Sequence, residues 1–257
     1  MLRKDILRQA QANTKTTADP QEIERFTHLA DEWWKPDGAF KVVHAFNKAR
    51  VDHLARRIPQ LVNRDPNAAS PLAGLSLLDV GCGAGIVTEP ISRLGATVLG
   101  IDAAERNILV AERHAALTAA PVIYRHALPE ELLASGQRFD IVLSLEVVEH
   151  VANVPDFLSV IGQLVAPGGS LVIGTLNRTA ISFIKAIVGA EYVLRWMPRG
   201  THDWRKFVTP FELETHLSPL GFSVIERCGV ELMPPSMQWR ITQSTNTTYL
   251  QFHRRQA

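Results

Sequence analysis

Cysteine is scarce in this chain: Cys82 and Cys228 are its only two. That excludes a disulfide framework and a cysteine-only zinc site, and it fits a reducing compartment. Long apolar runs are missing too. No stretch of about 18 uninterrupted apolar residues exists, so nothing reads as a bilayer-spanning helix. Net charge is almost absent, with 27 Lys and Arg against 26 Asp and Glu. A chain so balanced has no global pull toward nucleic acid, and an electrostatic partner must be met by a local patch. The opening MLRKDILRQAQANTKTTADP mixes acids with its bases, whereas a transit peptide is acid-poor and rich in Arg and Ser. Residues 1–20 are expected as a mobile, partly helical leader.

What is present is enough for a full core: 257 residues, 46% of them hydrophobic. PQEIERFTHLADEWW repeats Ile23, Phe26, Leu29, Ala30 and Trp33 at helical spacing, and residues 21–70 read as a helical extension ending in the linker NRDPNAASPLAG. From residue 71 to 257 short apolar strands alternate with helices. LSLLDV, ATVLGID, PVIYR, FDIVLSLE and GSLVIGTL are strands, and AERNILVAERHAALT and PDFLSVIGQLVA are among the helices. Buried strands alternating with helices of this length predict an α/β fold, a Rossmann-like parallel sheet covered on both faces. Pro90 falls in the first crossover helix, where it belongs in the first turn or makes a kink.

The sharpest signal is Asp79-Val-Gly-Cys-Gly-Ala-Gly85, between a strand and a helix. Gly81, Gly83 and Gly85 permit a tight turn and close approach of a ligand to the backbone. Asp102 ends the next strand, at the spacing of a carboxylate that accepts from ribose hydroxyls. The glycines follow GxGxG rather than the dinucleotide GxGxxG, and an acid at Asp79 would repel a pyrophosphate. It suits the cationic S-adenosylmethionine.

Four segments carry a resemblance: FTHLADEWWKPDGAFKVVHAFNKARVDHL, LLDVGCGAGIVTEPISRLGATVLGIDAAE, SLEVVEHV and TLNRTAISFIKAIVGAEYVLRWMPRGTHDWRKF. The core resembles class I S-adenosylmethionine-dependent methyltransferases, and residues 22–208 resemble the UbiG-like O-methyltransferases of ubiquinone biosynthesis. The resemblance implies cofactor contacts at Arg50, Gly81, Asp102 and Leu145, with the Arg50 fork apt for the methionine carboxylate. Leu145 stands where the family often has Met. Ala127 offers no side-chain acceptor, which leaves backbone groups around it to meet the adenine.

In SLEVVEHV, Glu146, Glu149 and His150 would share one face of a helical turn. They are candidate ligands for Mg²⁺ or Zn²⁺, and the resemblance assigns a metal to the matching positions. A cation would stabilise the phenolate of a catechol. The alternative is that they orient the loop, with His150 as general base beside Glu149 and His202 the next candidate.

Between Asn177 and Phe207 the chain inserts about thirty residues where such cores usually have a short link. Arg178, Lys185, Arg195, Arg199, Arg205 and Lys206 outnumber Glu191 and Asp203 there, among Ile, Phe, Tyr and Trp. Residues 177–208 are expected as an amphipathic lid, with 178–206 touching an anionic membrane surface and covering a polyprenyl tail; an extra helix packed on the core is the alternative. Gly189 and Gly200 would let the lid bend. Basic residues interleaved with aliphatics do not make a nucleic-acid stripe.

The expected function is methylation of a polyprenyl catechol in ubiquinone biosynthesis, peripheral on the cytoplasmic side of the inner membrane or on the mitochondrial matrix face, with other proteins of that biosynthesis as candidate partners. The rivals are a methyltransferase for another hydrophobic phenol and a non-catalytic scaffold that keeps the cofactor pocket. Met233, Met237 and Trp239 either line the prenyl channel or pack.

Overall fold

The structure is a computed structural model that describes residues 16–35, 38, 40–185, 187, 203–233 and 236–257. Eight strands form one sheet in the order β3-β2-β1-β4-β5-β8-β6-β7. Its first five strands, β1 (Ser76–Val80), β2 (Thr97–Asp102), β3 (Val122–His126), β4 (Phe139–Leu145) and β5 (Val165–Leu176), pair in parallel. β6 (Phe222–Met233), β7 (Gln238–Thr242) and β8 (Thr248–Arg255) close it with antiparallel pairings. β6 runs through FSVIERC and β8 through TYLQFH. β7 was not anticipated, because QWRIT carries mixed polar residues and only edges the sheet.

Strand alternation sorts the core into two layers. Leu78, Val80, Val142, Leu171 and Ile173 pack on one face. They meet α5 (Pro129–Ala134), α6 (Val154–Leu164) and α8 (Pro210–Leu217) through Leu132, Phe157, Ile161 and Leu213. Leu77, Ile141, Leu143, Val172 and Phe252 pack on the other, against Leu54 and Ile58 of α2 (Lys41–Leu61) and Ile91 of α3 (Thr88–Ser92). Each such fully buried side chain contributes roughly 1.5–3 kcal/mol. Pro90 sits in the first turn of α3, where its missing N–H leaves no bond unmade. α4 (Glu105–Thr118) covers β2 and β3.

The extension is docked. After α1 (Pro20–Leu29), capped by Asp19 accepting from the Gln21 N–H, a 3₁₀ turn (Ala30–Glu32) leads toward α2. The leader expected over 1–20 ends sooner. Ala18 bridges Val151, the Thr17 N–H and hydroxyl both donate to Glu130 Oε1 at 2.7 Å, and Thr17 is buried. The inserted segment begins with a short turn, α7 (Ala180–Ser182), capped by Thr179. Among the described residues no helix is long and apolar enough to cross a membrane.

Candidate active site

Strand order reverses between β1 and β4, and the carboxyl ends of these strands open a crevice there. The crevice is a cavity of about 570 Å³. Gly81, Gly83 and Gly85 have φ of +74°, +54° and +87°, the left-handed region where a Cβ is strained. A Cβ on Gly81 would lie 2.4 Å from Val147, and one on Gly83 would press the Trp33 ring at 3.3 Å. Both glycines line the cavity. Gly85, expected to touch the cofactor, does not line it. A Cβ there would meet the Tyr124 hydroxyl at 2.2 Å, so this glycine seats the loop on β3 instead.

Two acids frame the loop. Asp102 accepts from the Gly83 N–H (2.9 Å), the Ala104 N–H (2.8 Å) and Asn107 Nδ2 (3.2 Å). Burial raises its pKa while these donors oppose the rise. Asp79 projects to the same face as Leu77, toward α2 and α3, and accepts from the Thr88 hydroxyl at 2.6 Å. Burial pushes Asp79 up to about 6, against the pull of Thr88 and Arg50. Ala127 and Leu128, where backbone groups were expected to meet the adenine, also line the cavity, and both of their N–H groups are already used. The Ala127 N–H goes to the Asp102 carbonyl and the Leu128 N–H to Glu131.

Arg50 reaches in from α2 and is 3% exposed. Its Nε donates to Asn47 Oδ1 at 3.1 Å, its guanidinium lies 4.2 Å from the Phe46 ring, and its Nη1 donates to Glu146 Oε1 at 2.7 Å. Burial lowers its pKa, while the charges of Glu146, Glu149 and Asp79 hold it cationic. Glu146 follows β4 with φ +56°, unusual for a residue with a side chain, and its N–H donates to the Gly174 carbonyl at 2.8 Å. A non-glycine residue in this region costs on the order of 1 kcal/mol or more, and such strain gathers at working sites. Leu145, the last residue of β4, is buried against the cavity.

The structure does not gather Glu146, Glu149 and His150 into one ligand set. Among the described residues a different trio is the one whose donor atoms all lie within 4.8 Å of one another. The reason is local: Val148–His150 form a single 3₁₀ turn rather than an α-helix, so the three side chains diverge. Glu146 turns to Arg50. His150 turns to α1, where its Nδ1 meets Glu22 Oε2 at 3.2 Å and its ring stands edge-on to Phe26 at 5.1 Å. Glu149 points between them, 3% exposed, with Oε2 accepting from the Thr175 hydroxyl at 2.8 Å and Oε1 buried without a partner. In this arrangement the donors do not fit a cation.

The protonation states suit acid–base work instead. Burial, then the neighbouring Glu146 charge, raises Glu149 to about 7. Burial pulls His150 down, but the Glu22 hydrogen bond and the charges of Glu149 and Glu22 outweigh it, and its net direction is up. His202 lies outside the described residues, as do Gly189, Gly200 and most of the expected lid.

Sequence reading passed over the roof. Trp33 counts as an apolar helix position in the periodicity and Trp34 stands only within a segment of the resemblance, yet both close over the glycine loop. Trp34 Nε1 donates to the Ala84 carbonyl at 2.9 Å and its ring stacks on His114 at 3.4 Å. Trp33 Nε1 donates to Asn107 Oδ1 at 3.1 Å and its ring stacks on Phe40. Glu22, Phe26 and Asn107 also line the cavity. Beyond Arg50 the cavity continues along Phe46, Val230, Leu232 and Trp239, with Lys185 and Glu231 on its wall, paired at 3.4 Å. Trp239 lines this part and packs on Phe46 at 5.0 Å, whereas Met233 and Met237 are surface residues.

Comparison with known proteins agrees with this architecture. A family model described as a methyltransferase domain matches residues 50–227. A ubiquinone biosynthesis O-methyltransferase of Brucella anthropi is 47% identical, over 92% of this chain and 95% of that protein. One from Cereibacter sphaeroides is 45% identical, over 92% and 96%. Among solved structures, magnesium protoporphyrin IX methyltransferase from Synechocystis with bound SAH superposes with a TM-score of 0.61 at 19% identity, over 84% of this chain and 86% of that one. At that identity the likeness concerns the fold.

Proposed function

The chain belongs to the ubiquinone biosynthesis O-methyltransferases, within the class I methyltransferase fold, and from that premise we propose its substrate, its base and its place in the cell. It is an S-adenosylmethionine-dependent O-methyltransferase of ubiquinone biosynthesis. The acceptor we propose is a catechol bearing a polyprenyl tail. One observation carries this reading: a single cavity joins the glycine loop to Glu149 and His150 and runs on between Phe46, Val230, Leu232 and Trp239. A polar head with an apolar tail is the ligand shape that such a cavity rewards.

The loop fits the cofactor, since Gly81 and Gly83 leave a cradle that a Cβ would fill. Gly81, Gly83, Asp102, Leu145 and Arg50 would hold it. When bound, S-adenosylmethionine supplies an electrophilic methyl on a sulfonium. Arg50 would hold the cofactor's carboxylate in place of Glu146, which would keep a buried guanidinium paired. Asp79 contributes negative potential beneath the loop.

Glu149 takes the proton of the acceptor hydroxyl. Its Oε1 is unpartnered, and its pKa near 7 keeps a substantial ionised fraction at neutral pH while making that carboxylate basic enough to accept. His150, drawn toward its cationic form by Glu22, stabilises the phenolate charge. Glu22 thereby ties α1 to the acceptor end of the cavity.

Membrane attachment through residues 178–206 is the proposed route by which a lipid-tailed acceptor arrives. Exposed Ile181, Phe183 and Ile184 beside Lys185, with exposed Phe211 on α8, support it. Peripheral binding to an anionic leaflet follows from this composition, and we place the enzyme at the inner membrane.

The test is S-adenosylhomocysteine release with a short-tailed prenyl catechol, the same catechol without its tail, and a prenylated monophenol. We expect the first to give the highest kcat/KM by at least tenfold. Equal rates with and without the tail would overturn the lipid assignment, and turnover of the monophenol alone would overturn the catechol.

A further inference from the structure

One cluster of chemistry-bearing side chains lies outside the cavity. His53 sits on α2 one turn beyond Arg50, and its ring is steadied edge-on by Phe252 at 5.7 Å. Opposite it on β6, Glu226 and Cys228 stand two residues apart and so share one side of the strand. Cys228 Sγ lies 3.6 Å from His53 Nε2, and His53 Nε2 lies 3.9 Å from Glu226 Oε1. All three donor atoms fall within 4.8 Å of one another.

These spacings approach the edges of a tetrahedron around a metal. With Zn–N of about 2.1 Å and Zn–S of about 2.3 Å, the N···S edge of a tetrahedral site is about 3.6 Å and the N···O edge about 3.4 Å. The first is met, and the second needs about half an ångström of closure. Arg57 Nε donates to Glu226 Oε2, which leaves Oε1 as the atom nearest the imidazole, the kind of outer hydrogen bond that orients a ligating carboxylate. Charge also balances. A thiolate and a carboxylate would neutralise a dication beside Arg56 and Arg57, the cations that act on His53.

We propose that His53, Cys228 and Glu226 form a binding site for a zinc-class divalent metal, with water as the fourth ligand, pinning α2 to β6. Sulfur and imidazole donors select Zn²⁺ over Mg²⁺. Binding converts the Cys228 thiol to a metal-bound thiolate and releases its proton to solvent. Because the thiol is buried, which pushes it up to about 12, that proton leaves only when the metal takes its place. The site stiffens the helix that carries Arg50 and Asn47. It thus gives the enzyme a metal response that does not pass through Glu146, Glu149 or His150.

The experiment uses the full-length chain, stripped with chelator and titrated with Co²⁺ as a spectroscopic probe. We expect an intense thiolate-to-Co²⁺ charge-transfer band, bleached by Zn²⁺, and a melting temperature that rises with Zn²⁺. Cys228→Ser should abolish both. Should that variant fold poorly, Glu226→Gln and His53→Gln serve instead, each keeping the band but weakening Co²⁺ at least about tenfold. Glu149→Gln should leave the titration unchanged. Absence of the band in the unaltered protein, its survival in Cys228→Ser, or unchanged Co²⁺ affinity in both Glu226→Gln and His53→Gln would overturn the proposal.

Discussion

Two trios of donor side chains stand on this molecule, and they differ in opposite senses from their sequence signals. Glu146, Glu149 and His150 are neighbours in sequence and diverge in space, because one 3₁₀ turn splays them and Arg50 and Glu22 draw two of them apart. His53 is far in sequence from Glu226 and Cys228, and the three converge because α2 packs across β6. Spacing along a chain proposes a ligand set only where the local backbone has the assumed periodicity. Across a fold, packing decides.

The contrast is broken most forcefully at Glu149. Replacement by Gln should lower kcat by about 10²- to 10⁴-fold, the range of a lost general base, while S-adenosylmethionine affinity by calorimetry stays within a few-fold. The sign of the pH effect follows from its raised pKa. The base works only ionised, so the rate of the unaltered enzyme should climb as pH rises through about 7 and level off only above it. A pH–rate profile that is flat between 5 and 8 would remove Glu149 from the chemistry.

Arg50→Lys comes next. A lysine keeps the charge but loses the fork that serves Asn47 and Glu146 together, and KM for S-adenosylmethionine should rise about tenfold with a smaller change in kcat. Glu146→Gln acts on stability more than on rate. It leaves a buried guanidinium without its anion and should cost about 1–3 kcal/mol in urea unfolding, below a fully buried pair because Glu146 is partly exposed. The smallest effect belongs to Glu22→Gln. Losing one anion beside His150 lowers the imidazole pKa, visible by NMR titration as a downward shift, and should reduce kcat only a few-fold. If Glu22→Gln proved as damaging as Glu149→Gln, the roles assigned to the two glutamates would have to be exchanged.

The glycine loop was the legible half of the site. Its residues are contiguous, its conformational demand is written in three glycines, and Asp102 follows at a fixed distance because one helix and one strand intervene. The parallel sheet was legible for the same reason, since each strand is a short apolar run. What escaped depended on contacts between distant segments. Trp33 read as one more apolar helix position because an indole is apolar in any periodicity, Trp34 was given no role, and only the fold reveals their N–H groups meeting Asn107 and Ala84. Gly85 was read with its neighbours as a ligand contact, although the Tyr124 ring beneath it explains the missing side chain. β7 was hidden because an edge strand needs no apolar face.

The indole roof also sets the traffic of the enzyme. Trp33 covers Gly83 on the cavity wall, so a cofactor seated on the loop is bounded on one side by this segment. The Trp34–His114 stack and the two indole hydrogen bonds, worth about 2–4 kcal/mol together, hold that segment at the loop, beside the exposed Arg106–Asp31 pair. Where closure shelters chemistry and opening releases product, the strength of such a grip sets the division between the two. Tightening it would protect the methyl donor and slow the enzyme. Loosening it would hasten release and let water in.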